Sequence, residues 1–292
     1  MNAILRLLIL TIGTVIFLAG ASSMLRTCGH ARQYEAKPHP LMREKQILIA
    51  LRGGSKENPE NTFKAFDHAR AQGAWLHFDL RLTKDNKLVV MKDISLDRTT
   101  DTKGWLPEKT LEELKEIKAG REFGPNESEP IPTFEQMLER YKDTVMIVEL
   151  QDNSLAAVNY IIEYIAKQNL QERVILASPH SGPLKETRAL KPDWVTLSSP
   201  DEVERLALLT SLRLESIATI NGDFLFSPLM LGRAPLLSEA MVRESHRRKK
   251  IIVASGIATE EEARQALELQ VDGIATERPA LLRGIIRSSS NP

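Results

Sequence analysis

From Gln46 onward, short apolar runs alternate with amphipathic stretches. The runs Gln46–Leu51 (QILIAL), Trp75–Leu80 (WLHFDL), Lys87–Met91 (KLVVM) and Val145–Leu150 (VMIVEL) read as buried strands. So do Val174–Ser178, Trp194–Leu197, Ile251–Ala254 and Gly273–Thr276. Between them, Thr62–Gln72 repeats Phe63, Phe66 and Ala69 at helical spacing. Ser154–Gln168, Ser238–Arg248, Glu260–Leu269 and Pro279–Ile286 are further predicted helices. Thr110 with Glu113, and Thr133 with Gln136, have the spacing of capping boxes that open helices. Parallel neighbours need long crossovers, so alternation over about 240 residues predicts a parallel sheet. Eight such units predict an α/β fold of the closed (β/α)8 TIM type, with its chemistry at the C-terminal ends of the strands.

The first 45 residues break this rhythm. Leu7–Ala21 is continuously apolar or small, follows one basic side chain, Arg6, and ends in Ala19-Gly20-Ala21. A membrane-spanning helix usually needs about 20 apolar residues. Residues 1–21 are therefore expected to be a secretory signal peptide, with an uncleaved membrane anchor as the alternative. Arg26, Arg32, Lys37 and Arg43 follow the run, a charge bias that favours cleavage. Either way the folded part is expected outside the cytoplasmic membrane, in the periplasm or cell envelope. Residues 22–45, polar and with Pro38 and Pro40, are expected to be a linker, residues 46–287 the barrel, and 288–292 a tail.

Composition narrows the function classes. The 292 residues are 42% hydrophobic and 27% charged, ordinary for a globular protein. With 39 basic and 39 acidic side chains, nothing suggests a broad nucleic-acid-binding surface. A single cysteine, Cys28, excludes an internal disulfide and a cysteine-based zinc site.

The predicted strand ends carry the candidate chemistry. Arg52, before Gly53-Gly54-Ser55, has the geometry to hold a phosphate or carboxylate bidentately. The glycines would let backbone approach a ligand, although a plain loop has the same pattern. His77 and Asp79, two apart, share one face of a strand and form half of a divalent metal site or a structural hydrogen-bonded pair. Glu149 ends another apolar strand and needs a cation, either a metal or Lys92. Ser255-Gly256-Ile257 follows the seventh strand, where barrels often bind phosphate. His180 and the basic run His246–Lys250 are weaker candidates, for proton transfer and for anionic lipid.

The order of these residues resembles the glycerophosphodiester phosphodiesterase family. The likeness runs through Arg52-Gly53-Gly54, Pro59-Glu60-Asn61-Thr62, Gly73-Ala74, His77-Phe78-Asp79-Leu80-Arg81-Leu82-Thr83, Asp85, Val89-Val90, Asp93 and Leu96-Asp97-Arg98-Thr99-Thr100. It continues more thinly through Ile131–Phe134, Val148-Glu149 and Val271–Thr276, covering about Ile47 to Pro279. The resemblance implies a (β/α)8 barrel that hydrolyses glycerophosphodiesters to glycerol phosphate and an alcohol. It also implies a divalent ion on carboxylates, two histidines as acid and base, and an arginine on the phosphate.

The departures are specific. Leu51 and Lys92 stand where the family has its two histidines. His77 replaces the glutamate of Glu-x-Asp, and Gln151 follows Glu149 where a lysine is usual. The expectation is therefore Arg52 and Lys92 as catalytic residues and Arg52, Glu60 and Gly256 as phosphate-binding residues. His77, Asp79 and Glu149 are the expected ligands of a divalent ion (Ca, Mg, Mn or Zn). An imidazole among them shifts preference toward transition metals. Lys92 is a cation at neutral pH, able to neutralise phosphate charge or protonate a leaving alkoxide but a poor base. The alternative is a catalytically impaired barrel that binds a phosphorylated ligand or a protein partner in the envelope.

Overall fold

In a computed structural model of the chain, the described residues are 11–14, 20, 24 and 33–288. The signal or anchor run lies outside them apart from 11–14 and 20, as do residues 289–292 of the tail. Among the described residues, no helix is long and apolar enough to cross a membrane.

Seven parallel strands form the barrel wall. They are β1 (Ile47–Leu51), β2 (Trp75–Leu82), β4 (Met146–Leu150), β5 (Val174–Ala177), β6 (Phe224–Ser227), β7 (Ile251–Ile257) and β8 (Gly273–Thr276). Their order in the sheet is β5-β4-β2-β1-β8-β7-β6. The eighth stave is reduced to two bridges, Leu176 to Thr196 and Leu197 to Phe224, which join β5 to β6 and close the circle.

One strand expectation changes. Lys87–Met91 contributes β3 (Leu88–Val90), but it pairs antiparallel with β2 through Leu80–Val90, Arg81–Val89 and Leu82–Leu88. It is a hairpin flap on the barrel rather than a stave. The missing stave is β6, whose four residues escape a pattern search because Gly222-Asp223 and Pro228 crowd both ends.

Side chains alternate across the wall, as strands require. Leu48, Leu76, Phe78, Leu80, Met146 and Val148 face outward and pack with Phe66, Phe134, Tyr141 and Ile165 of the helices. Ile47, Ile49, Ile147, Ile175, Val195, Phe224, Ile251 and Val253 fill the lower interior. Toward the C-terminal ends the inward positions turn polar: β2 runs Trp75, His77, Asp79 and β4 runs Ile147, Glu149. That switch converts a filled core into a site.

The helices start where predicted. Thr110 and Thr133 complete their capping boxes with Glu113 and Gln136. Two helices not foreseen, Ser181–Leu190 and Pro200–Ser211, complete the outer ring. The segment expected as a polar linker is, over residues 33–45, seated on the barrel floor. Leu41 joins the lower interior cluster. Lys37 donates to the Trp194 carbonyl at 2.7 Å and to Asp223 at 2.9 Å, and Lys45 pairs with Asp272.

Candidate active site

Strand register brings the candidates together. Leu51 on β1 is paired with His77 on β2, and Asp79 is paired with Glu149 on β4. Two carboxylates thus lie side by side with an imidazole one step below. Their ligand atoms and one from His77 all lie within 4.8 Å of one another.

Each of these groups is already oriented. His77 donates from Nε2 to Glu149 Oε2 at 3.2 Å, which leaves its buried Nδ1 without a partner. Asp79 is fully buried. Its Oδ1 accepts from Gln151 at 2.7 Å and Lys92 Nζ at 3.2 Å, and its Oδ2 from Asn61 at 3.2 Å. Lys92 reaches Asp79 because β3 turns back antiparallel along β2. Burial pushes the Asp79 carboxyl above the ordinary range, and the neighbouring Glu149 charge adds to this, against the pull of His77 and Lys92. Burial acts in the same sense on Glu149, but its hydrogen bond to His77, the His77 charge and Lys92 outweigh it and hold Glu149 down at about 2.

Two arginines form a second tier. Arg52, at the end of β1, takes a left-handed φ of 54°. Its guanidinium lies 3.3 Å from Glu60, donates to Ser55 at 3.2 Å and pairs with Glu277 just beyond β8. Arg98 grips Glu60 from the other side with two bonds of 2.9 and 2.7 Å. Glu60, expected to help bind phosphate, is held by both arginines and acts on Arg52 as an orienting carboxylate. Glu277 and Arg98 were missed as partners, since nothing local in the sequence links them to Arg52 or Glu60.

A cavity of about 350 Å³ opens beside these groups. Leu51, Arg52, His77, Lys92, Glu149, Ser178, Ser198 and Ser255 line one part of it. The Ser198 hydroxyl is buried and has no partner. Gly256 is placed differently from expectation: it lies inside β7, in a bulge between Ser255 and Ile257 with φ of 75°. Ser255 is the residue that lines the cavity. Gly53 and Gly54 adopt φ of 78° and 95°, and their missing side chains make room for Ala65 and Pro279. His180 is an exposed helix cap outside the cavity lining. The basic run belongs to the barrel floor: Arg247 and Arg248 grip Glu244, His246 bonds to Asp272 at 3.0 Å, and Lys250 bonds to Asp223 at 3.3 Å.

The donor set fits a divalent ion. A buried and a half-buried carboxylate lie side by side and need positive charge, and a His77 ring nitrogen stands within 4.8 Å of both. Lys92 already supplies part of that charge.

Comparison with known proteins was made on this basis. The model of the glycerophosphoryl diester phosphodiesterase family matches residues 52–281. The chain is 31% identical over 253 residues to a glycerophosphodiester phosphodiesterase of Caldanaerobacter subterraneus, covering 83% of this chain and 98% of that one. It is 26% identical to the Bacillus subtilis enzyme of that name, covering 97% and 98%. In fold it resembles a phosphodiesterase from Oleispira antarctica solved in complex with the product sn-glycerol-3-phosphate. That likeness has a TM-score of 0.69 and 24% identity, covering 84% of this chain and 97% of that one.

Proposed function

The chain belongs to the glycerophosphoryl diester phosphodiesterase family, and from that premise we propose that its barrel mouth hydrolyses glycerophosphodiesters to glycerol phosphate and an alcohol. The observation that carries this reading is the convergence of His77, Glu149, Arg52 and Lys92 on one cavity, with the buried Asp79 within 4.8 Å of His77 and Glu149. The product complex of the Oleispira protein supports glycerol phosphate as the ligand class.

The roles follow from the chemistry of each side chain. Arg52, braced by Glu60 and Glu277, binds the phosphate oxygens. His77, Asp79 and Glu149 hold a divalent ion, and the imidazole favours zinc or another transition metal. When bound, that ion supplies positive charge against the phosphoryl oxygens. Lys92 opposes the charge that develops on the phosphate and protonates the departing alkoxide. Leu51 transfers no proton, so turnover is slow: one missing acid–base group costs roughly 10²–10⁴-fold.

A second reading draws on Leu51 and on the saturation of Asp79 by Lys92, Gln151 and Asn61. In it the mouth binds a phosphorylated ligand without cleaving it. Glycerol phosphate release from glycerophosphocholine and glycerophosphoethanolamine, with Ca²⁺, Mg²⁺, Mn²⁺ and Zn²⁺ in turn, separates the two. Turnover abolished in Asp79→Asn, Glu149→Gln is the expected result. None above that control favours the binding protein. The apolar run Leu7–Ala21 supports an exported or membrane-anchored site of action.

A further inference from the structure

Lys92 stands just past the sheet. The ladder between β2 and β3 ends at Leu80 and Val90, and the Met91 amide adds one more bond, to the Asp79 carbonyl at 3.0 Å. Beyond it the chain leaves β2. A lysine ammonium rides on a flexible four-carbon stem. The Lys92 side chain is 37% exposed and reaches Asp79 at 3.2 Å. A single contact of that kind does not by itself fix where the ammonium points.

The Lys92 backbone is held from another side chain. Arg81 Nε donates to the Lys92 carbonyl at 2.6 Å. The same guanidinium donates to Asp152 Oδ1 at 3.3 Å, and Asp152 Oδ2 accepts from the Leu82 amide at 3.0 Å. Asp152 follows β4, and the Gln151 amide before it donates to the Leu80 carbonyl at 3.0 Å. The bracket is therefore anchored on two adjoining staves. A planar guanidinium suits it, because its fork joins a carbonyl and a carboxylate in one geometry. Asp79 and Arg81 are two apart on β2 and share a face. β2 thus holds Lys92 at both ends, the carbonyl through Arg81 and the ammonium through Asp79. Lys92 lines the cavity, whereas Arg81 and Asp152 lie outside its lining.

We propose that Arg81 is a positioning residue that fixes the Lys92 backbone, so that the ammonium is presented to the phosphate and to the departing oxygen. The action on the departing oxygen rests on the phosphodiesterase reading. In that step water bonds to phosphorus and releases a proton to solvent. The bond from phosphorus to the alcohol oxygen breaks. That oxygen keeps the electron pair and takes a proton from Lys92, which recovers one from solvent. Arg81 touches none of these atoms. Without it the Lys92 carbonyl is no longer tied to β2, and the ammonium meets the departing oxygen less often.

The test uses the full chain with Arg81→Met, and with Asp152→Asn as a milder variant that keeps the arginine. Two substrates differ in their need for a proton. The alkoxide of glycerophosphocholine must be protonated, whereas the phenolate of glycerophospho-4-nitrophenol leaves without a proton. A general acid contributes roughly 10²–10⁴-fold, so Arg81→Met should lower kcat on glycerophosphocholine by about tenfold or more and on the nitrophenyl compound by no more than about twofold. Asp152→Asn should shift the ratio in the same sense, by less. A ratio of two rates is unaffected by partial loss of folded protein. Equal falls on both substrates, or none on either, overturn the proposal.

A second readout needs no turnover. Calorimetry of sn-glycerol-3-phosphate binding to the parent, Arg81→Met, Lys92→Met and the double variant forms a cycle. Arg81→Met should weaken binding by about fivefold in the parent and should weaken it no further in Lys92→Met. Losses that add independently overturn the proposal. If the parent turns over neither substrate, the phosphodiesterase reading falls and the cycle alone decides whether Arg81 positions Lys92. If the parent neither turns over a substrate nor binds glycerol phosphate, both fall.

Discussion

Lys92 sets its charge against the Asp79 carboxylate in the mouth, and this governs what else the mouth can hold. Lys92 Nζ lies 3.2 Å from Asp79, a carboxylate that a divalent ion would also use. Like charges disfavour one another at this range, and more strongly away from bulk water. Lys92→Met should therefore tighten Zn²⁺ binding, by about tenfold for each 1.4 kcal/mol of repulsion relieved, as measured by calorimetry. The same change should lower turnover by about 10²-fold, because the proton donor to the alkoxide is gone. Metal affinity that weakens would mean that Lys92 organises Asp79 rather than competing for it. At this scale the sequence was legible where chemistry and strand alternation coincide. His77 and Asp79 share a face by simple period-two spacing, and Glu149 closes a clear apolar run. Glu277 was not legible, because its contact with Arg52 spans 225 residues and depends on β1 lying beside β8.

Elements were legible where their ends carry chemistry of their own. Thr110 and Thr133 announce helix starts through side chains that replace missing backbone partners. Strand direction has no such local mark. Yet the five residues from Thr83 to Lys87 are too few for a crossover, which needs a dozen or more. An antiparallel β3 was therefore readable from loop length, with Asn86 at φ of 56° making the turn. The glycines at strand ends divide into two kinds. A Cβ on Gly53 would meet the Ala65 Cβ at 2.7 Å, whereas one on Gly256 would meet nothing within 4 Å. Both have positive φ. Gly256→Ala should cost about 1–2 kcal/mol from backbone strain alone. Gly53→Ala should cost about 1–3 kcal/mol more, because the helix Phe63–Ala71 must shift. Urea unfolding of the two variants measures the difference, and equal losses would show that the helix yields freely.

The molecule as a whole is closed at one end and open at the other. Composition and polarity suggested a loose linker before the barrel, because nothing in residues 22–45 has a strand or helix period. Their described part is ordered by long-range pairing instead, which periodicity cannot reveal. Leu41 is buried, and Lys37 and Lys45 reach Asp223 and Asp272 at the starts of β6 and β8. A chain that begins at Gln46 should lose the Leu41 burial, about 1.5–3 kcal/mol, and at this size melt about 3–12 °C lower than one beginning at Gln33. An unchanged melting temperature would make the floor segment ornamental. Asp272 is the charged hub of that floor. It is 2% exposed and accepts from His246 at 3.0 Å and the Ile252 amide at 2.9 Å, with Lys45 alongside. Burial alone would raise its pKa, but His246, Lys45 and the amide outweigh burial and hold it below 3.8. A carboxyl depressed in the folded state binds fewer protons there than in the unfolded chain. Its contribution is therefore complete above about 3.8 and is lost as pH falls through the folded value. Asp272→Asn should lower stability by about 2–4 kcal/mol at pH 6, where partners are left uncompensated. Near pH 3 the gap to the parent should narrow, because the parent is then giving up the same stabilisation. Urea midpoints at the two pH values test this, and a gap that stays constant would show that the Asp272 charge is not what holds the floor.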